Sequence, residues 1–324
     1  MSPRSRIGEL IRDSSSFLVL SHTNPDGDAV GSTLALGHLL HSLGKKTYLY
    51  NETGLPSQFN WIADSLDIQS DPPREGFDWA VVLDCSDPSR YGTEIASFLP
   101  RRKVINIDHH SDNSGFGEIN WVEGRSSVGE MIALLASDMG VAPRGALGES
   151  LYLALVSDSG FFSYSNTNGQ TLRVAADILD AGLDLDRFNA GLQRQWSLNT
   201  IKLHAEALQD AYLAGQGRIG VVKVSEQAFA RTGTTWQDSE GLVNYMRRVR
   251  GVMVSLCLKE QEPNRVKLSL RSWGEVDVQA IASQLGGGGH PNAAGAVLET
   301  DLGQAERKSI ECIRDHLPES AGSY

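Results

Sequence analysis

FLVLSHTNPDGDAVGSTLALGHLL, residues 17–40, sets the architecture of the N-terminal half. Its opening run is short, apolar and without polar alternation, as expected of a strand buried on both faces of a parallel sheet. Pro25 and Gly27 then punctuate a turn, Gly31 and Ser32 open an amphipathic helical run, and TYLYN (residues 47–51) supplies the next strand. Strand, helix and strand in this order make a βαβ unit. Two more runs of the same kind follow, WAVVLDCSD (79–87) and KVINIDHH (103–110). The expected fold class is α/β: an N-terminal domain with a mainly parallel sheet flanked by helices, plus a smaller C-terminal α+β domain.

Downstream of residue 125 the pattern turns helical, through SVGEMIALLASDMG, LGESLYLALVSDSGFF and a run from Gly169 to Gln209 with apolar residues three and four apart. A second pattern begins at RIGVVKVS (218–225), passes a helix near SEGLVNYMRRV and gives two extended runs, VMVSLCLKEQ and RVKLSLRSW, split by the turn EPN. The boundaries expected are residues 1–190 for the first domain, 191–212 for a helical linker and 213–324 for the second domain. LPESAGSY, at the end, reads as a loose tail.

At 324 residues the chain exceeds what one hydrophobic core usually serves. A net charge of −11 argues against coating long nucleic acid through a basic face, while leaving room for a small anion held locally. Cys85, Cys257 and Cys312 are odd in number, widely spaced and free of any CxxC pattern. They read as reduced core thiols, which points to the cytoplasm. No apolar leader precedes a cleavage site, and no stretch approaches the roughly 18 apolar residues of a membrane span, so no membrane partner is expected. The first domain's helices are compatible with a homodimer.

Each strand-like run ends in acids and histidines: His22, Asp26 and Asp28 after the first, Asp84 after the second, Asp108, His109 and His110 after the third. The carboxyl ends of strands in an open α/β sheet line its crevice, so residues dispersed in sequence converge there. Oxygen and imidazole donors with no thiolate favour manganese or magnesium over structural zinc. Asp84 has no cationic neighbour in sequence and is suited to bridge two ions. PDGD is also an ordinary turn sequence, and the case sharpens at DHH, because two adjacent histidines at a strand end cannot both be core residues. One can ligate a metal while the other contacts a phosphate oxygen or protonates a leaving group, with Asp108 orienting a ring from behind. Asp158, in LVSDSGFFSYSNT, would complete the site, although alone it is equally a helix cap.

Further along, IASQLGGGGHPNAAGA (281–296) places Gly286, Gly287, Gly288 and Gly289 directly before His290. Each glycine inside a helix would cost about 1 kcal/mol, so a helix interior is excluded and bare amides open to a phosphate are the expected benefit. Arg271 and the cluster containing Arg247, Arg248 and Arg250 could neutralise phosphates; at least one of that cluster reads as a solvated helix face.

HTNPDGD, LDCSD, DHH and VSDSG in this order, with GGGGHPNAAG near the C-terminus, resemble the DHH phosphoesterase family carrying its DHH-associated C-terminal domain. The resemblance runs from about residue 15 to residue 298 and is closest to the stand-alone oligoribonuclease/pAp phosphatase members. It implies two domains around a cleft and two Mn2+ ions, with Mg2+ or Co2+ as substitutes. It would give His22 and Asp26 to one ion, Asp28, His109 and Asp158 to the other, and Asp84 to both. His110, Arg271, His290 and Gly286 to Gly289 would take substrate phosphate, with Arg247 and Arg250 added from their charge. The implied activity is hydrolysis of very short RNA to mononucleotides and removal of a phosphate from pAp, through a water activated by two metals, with catalytic parts for His110 as acid or electrostatic stabiliser, for Asp84 as the carboxylate shared by the metals and for Asp108 as the group that orients a histidine. A cyclic di-AMP or pApA phosphodiesterase would carry the same motifs. A catalytically dead nucleotide sensor on the same fold would be free to lose these ligands.

Overall fold

β1 (Ser16–Ser21), β2 (Lys46–Tyr50), β3 (Ile68–Gln69), β4 (Trp79–Leu83), β5 (Val104–Asp108) and β6 (Ile119–Val122) form one sheet in the order β3-β2-β1-β4-β5-β6, every neighbouring pair parallel. The structure, a computed structural model, describes residues 1–62, 66–99, 103–194, 196–274 and 276–318. From β1 the chain winds outward through β2 and β3, returns, and winds the other way through β4, β5 and β6. The topological switch therefore falls between β1 and β4, where a doubly wound sheet opens its crevice. The apolar runs are divided between two faces: Phe17, Val19, Val81, Leu83, Ile105 and Ile107 meet the helical layer, while Leu18, Leu20, Ala80 and Val82 pack with Tyr50, Tyr91 and Ile95.

The helices of this part are α1 (Pro3–Asp13), α2 (Gly27–Ser42), α3 (Val128–Asp138), α4 (Gly145–Asp158), α5 (Gly169–Asp180) and α6 (Leu185–Gln193). Two local expectations change here. α2 begins at Gly27 with Asp26 as its N-cap, so Gly31 lies inside the helix. A Cβ at Gly31 would sit 2.6 Å from the Ser150 carbonyl oxygen and 2.7 Å from the Ala154 nitrogen, so the bare glycine lets α4 lie against α2. With the sheet on one side and α4 on the other, α2 is buried almost all round, not amphipathic.

The chain divides into two compact units, Met1–Gln195 and Trp196–Tyr324. α7 (Leu198–Gln209), within the expected linker 191–212, belongs to the second unit, because Leu203 and Ala207 are buried with Val222, Val224, Phe229 and Leu242. That unit contains β7 (Tyr212–Ala214), β8 (Ile219–Val224), α8 (Glu226–Thr232), α9 (Leu242–Met246), β9 (Val254–Glu262), β10 (Arg265–Ser272), α10 (Val278–Gln284), β11 (Gly288–His290), β12 (Ala293–Leu298) and α11 (Leu302–Asp315). Its mixed sheet runs β11-β12-β10-β9-β8-β7, parallel only between β8 and β9. Alternation along β8, β9 and β10 sends Ile219, Val221, Leu256 and Leu268 toward α10 and α11, and Val222, Val224 and Cys257 toward α7, α8 and α9. Of the tail read as loose, residues 319–324 lie outside the described residues.

Candidate metal centre

The carboxyl ends of β1, β4 and β5 carry the residues singled out in the sequence, and they do converge. His22 Nε2 lies 3.6 Å from Asp84 Oδ2 and 4.0 Å from Asp26 Oδ1. His109 Nε2 lies 3.2 Å from Asp158 Oδ2, 3.4 Å from Asp84 Oδ1 and 3.8 Å from Asp28 Oδ2. Donor atoms of His22, Asp26 and Asp84 fall within 4.8 Å of one another, as do those of Asp28, Asp84 and His109, and those of Asp84, Asp108 and His110. Asp84 is common to all three groups.

The backbone explains how each side chain is aimed. Asp84 follows β4 directly and holds φ at +52°, a left-handed conformation that side chains rarely adopt and that costs on the order of 1–3 kcal/mol. Asn106, buried in β5, braces that turn: its Nδ2 donates to the Val82 carbonyl at 3.3 Å and the Cys85 carbonyl at 3.1 Å. His22 Nδ1 donates to the Thr23 carbonyl at 2.9 Å and His109 Nδ1 to the Arg125 carbonyl at 3.1 Å, so each ring turns its Nε2 toward the acids. Asp26 Oδ1 accepts the amides of Asp28 and Ala29, both at 3.1 Å, capping α2 while its carboxylate stays partly exposed. Asp28, fully buried, accepts the Val128 amide at 2.7 Å and the Gly129 amide at 3.0 Å from the start of α3.

Asp108 stands behind His110. Its Oδ1 accepts from His110 Nδ1 at 2.7 Å, and Asn113 Nδ2 donates to its Oδ2 at 2.6 Å and to Asn106 Oδ1 at 2.8 Å. The Asp84 turn and the Asp108–His110 pair thus share one amide scaffold.

Five carboxylates and three imidazoles at this spacing draw in positive charge. Burial and the carboxylates of Asp84 and Asp158 raise Asp28 well above the usual range, and burial with the Asp26 carboxylate pushes Asp158 up to about 7. Burial pulls the His22 imidazole down, yet the carboxylates of Asp84 and Asp26 outweigh it and push its pKa up to about 9. His109 and His110 are raised for the same reason against the same opposing burial. Asp84 goes the other way: burial would raise it, but the surrounding His109, His22 and His110 rings hold it well below the usual carboxylate range. Protons here do the work of cations. Among the described residues, no hydrogen bond reaches the buried Asp84 Oδ1. An orphaned carboxylate oxygen amid hard oxygen and imidazole donors fits a divalent ion.

The remaining predicted residues lie in the second unit. Arg271, on β10, donates from Nη1 to the Leu270 carbonyl at 2.9 Å; its face of the sheet also carries Lys267 and, opposite it on β9, Lys259. Neither lysine is among the residues expected from sequence, although the alternation K-x-S-x-R in β10 is the available signal. Arg247 is buried with its guanidinium 3.7 Å from the Trp273 ring centroid, and Arg250 is exposed. His290 ends β11. The four glycines are not one open loop. A Cβ at Gly287 would come within 2.0 Å of the Gly295 carbonyl oxygen and one at Gly289 within 2.6 Å of the Ala293 oxygen, so these two are required by close packing against β12. Gly286 and Gly288 face open space. In the first unit, Asn106 in β5, Glu130 in α3 and the loop residues Asn51, Asn113 and Asn166 also bear on the site, and a lone amide or carboxylate carries no local signature of such a role.

Residues 16–154 match the DHH family, N-terminal domain, and residues 218–315 match the DHHA1 domain. The chain is similar to the bifunctional oligoribonuclease and PAP phosphatase NrnA of Thermus thermophilus, 34% identical over 304 residues covering 92% of this chain and 89% of that protein. The protein of the same name from Bacillus subtilis is 27% identical over 90% of this chain and 92% of its own length. Among solved structures, an exopolyphosphatase-related protein from Bacteroides fragilis superposes with a TM-score of 0.89 at 25% identity, covering 97% of this chain and 96% of that one. With its strand-end acids and histidines gathered around Asp84 and a DHHA1 domain following, the chain belongs to the DHH family.

Proposed function

We propose that this protein is a metal-dependent phosphohydrolase that degrades oligoribonucleotides of two to about five units to mononucleotides and removes a phosphate from pAp, longer strands being disfavoured by the chain's net negative charge. The observation that carries this reading is Asp84: a buried carboxylate with a bare oxygen, within reach of His22 and Asp26 through one oxygen and of His109 through the other. The curated relatives named for these two activities align along nearly the whole chain.

In this reading His22 and Asp26 would hold one ion, Asp28, His109 and Asp158 the second, and Asp84 would serve both. Mn2+ is the preferred metal, with Mg2+ or Co2+ as substitutes. When bound, such ions supply an activated water and neutralise charge on the phosphate. The protein's own part is positioning. Asp108 accepts the Nδ1 proton of His110 and so fixes Nε2 as the nitrogen offered to a phosphate or leaving-group oxygen. The Asn106–Asn113 scaffold keeps Asp84 and His110 in register with each other. In the second unit, Arg271 and His290 grip a substrate phosphate, with Arg247 and Arg250 adding positive charge and Gly286 and Gly288 leaving backbone open beside it.

The test is a turnover series with Mn2+ on dinucleotide RNAs, a heptanucleotide, pAp, cyclic di-AMP and pApA, with Asp84→Ala as blank. Turnover of dinucleotides of any sequence together with pAp is expected. A preference for cyclic di-AMP or pApA would make this a signalling phosphodiesterase, and binding without turnover of any substrate would leave a nucleotide sensor.

A further inference from the structure

The segment Arg125–Gly129, which leads from the β6–α3 connection into the first turn of α3, offers no side chain to the acid and histidine cluster, yet it reaches three of its members. The Arg125 carbonyl accepts from His109 Nδ1 at 3.1 Å. The Val128 and Gly129 amides donate to Asp28 at 2.7 and 3.0 Å. At Ser126 the carbonyl accepts from Asn166 Nδ2 at 2.9 Å, and the same amide group donates to the Asp158 carbonyl at 3.0 Å.

Glu130 reaches two residues of this segment, Arg125 and Ser126, beside the bonds that Asn166 makes to the Ser126 carbonyl and Glu123 to the Arg125 guanidinium. Glu130, in the first turn of α3, is fully buried. Its Oε2 accepts from Ser126 Oγ at 2.7 Å, from the Ser126 amide at 3.4 Å and from Thr171 Oγ1 at 2.9 Å, while Oε1 accepts from Arg125 Nη1 at 3.2 Å. α3 already has its N-cap in Ser127, whose Oγ accepts the Glu130 amide at 3.1 Å. A capping box would return the acid to the N-cap amide; here the acid reaches one residue further back, to the turn that carries the Arg125 carbonyl. A buried carboxylate is costly and persists where its hydrogen bonds fix something that neutral groups would leave loose.

We infer that Glu130 is a positioning residue for the metal centre. By fixing residues 125–129 it sets the His109 tautomer, so that Nε2 faces the acid cluster, and aims the α3 amides at Asp28, which fixes the orientation of that side chain. This rests on the metal reading proposed above.

The test is titration with Mn2+ alone, by calorimetry and by the Mn2+ EPR signal, of the wild type, Glu130→Gln, Thr171→Val and Ile132→Val, each well below its melting temperature. Ile132 lies on α3 in the apolar core and serves as the stability control. Glu130→Gln should weaken Mn2+ binding about 10- to 100-fold, the range for hydrogen-bond partners behind metal ligands. Thr171→Val should shift it less in the same direction and keeps the test alive if Glu130→Gln folds poorly. Ile132→Val should lower the melting temperature with affinity unchanged. Wild-type affinity in both Glu130→Gln and Thr171→Val, or an equal loss in Ile132→Val, overturns the positioning role. A wild-type chain that binds no Mn2+ would instead remove the metal reading and this inference with it.

Discussion

The carboxyl edge of the first sheet and the β9–β10 face of the second concentrate opposite charges. At the first, Asp26, Asp28, Asp84, Asp108 and Asp158 gather around three histidines, and burial and mutual repulsion push protons onto Asp28, Asp158 and the rings. At the second, Lys259 and Lys267 stand directly opposite each other across the two strands, with Arg271 further along the same face of β10. Burial would raise the Glu240 carboxyl, but Lys259, Lys267 and Arg271 hold it below its ordinary value, with Lys259 Nζ 2.8 Å away. Lys267 also lies 4.6 Å from the Trp236 ring centroid. Like charges placed face to face weaken a sheet and clustered carboxylates weaken a fold, so neither region serves stability alone. The first is short of a cation and the second of an anion. The contrast suits the proposed reading, in which the first region serves the chemistry and the second grips substrate phosphate.

The largest effect expected is at Asp84, the carboxylate common to the three donor groups of the first unit. Asp84→Ala should reduce turnover on the order of 1000-fold or more, measured as kcat at saturating substrate. By contrast, Arg271→Ala in the second unit should raise KM about 10- to 100-fold with a smaller change in kcat, because in the proposed reading it would remove a charge-assisted bond to phosphate. If both variants lose kcat alone, the division into chemistry and grip is wrong.

Metal should act on the first region as stability. Mn2+ at 100 times its dissociation constant contributes about 2.7 kcal/mol, a rise of roughly 5–10 °C in the melting temperature for a unit of this size. An unchanged melting curve on adding Mn2+ to chelator-treated protein would argue that the acids are not a metal site.

The glycine run divides the second region more finely. Gly287→Ala should destabilise that unit by about 1–3 kcal/mol through its clash with the Gly295 carbonyl. Gly288→Ala, facing open space, should leave the melting temperature unchanged and raise KM if phosphate approaches that backbone. Equal melting temperatures for the two variants would refute the packing assigned to Gly287.

The smallest effect is in pH. With chelator present, Asp158, raised to about 7, is increasingly destabilising as pH rises from about 4 to 7, because the unfolded carboxyl ionises first. His22, raised to about 9, contributes stability that is complete below 6.5 and lost as pH rises through 9. Both run the same way, so the melting temperature of metal-free protein should fall by a few degrees between pH 6 and 9, and Mn2+ should flatten the slope. A rise over that window would contradict the charge balance described for the cluster.

Much of the first region was legible from its residues. A strand buried on both faces reads as a continuous apolar run, and the residue after such a run must sit at the carboxyl edge of a parallel sheet. His22, Asp84 and the Asp108–His110 triplet could be placed together on that basis. The second region was less legible. Its glycines read as open backbone, but a glycine excluded by a neighbouring strand and a glycine left bare for a ligand look identical in one dimension. α7 read as part of a linker because helical periodicity does not say which core receives the apolar face, and Leu203 meets Val222 and Leu242 only after folding.

The sequence by itself determined the parallel sheet, the two-part chain and the identity of the acids and histidines, since strand pattern and residue chemistry are local properties. Tertiary structure alone decided how those side chains are aimed. The left-handed turn at Asp84 is braced by Asn106 from the next strand, and Asp28 is held by the Gly129 amide 101 residues away. Orientation is a hydrogen-bond property, and the partners that set it are brought together only by packing.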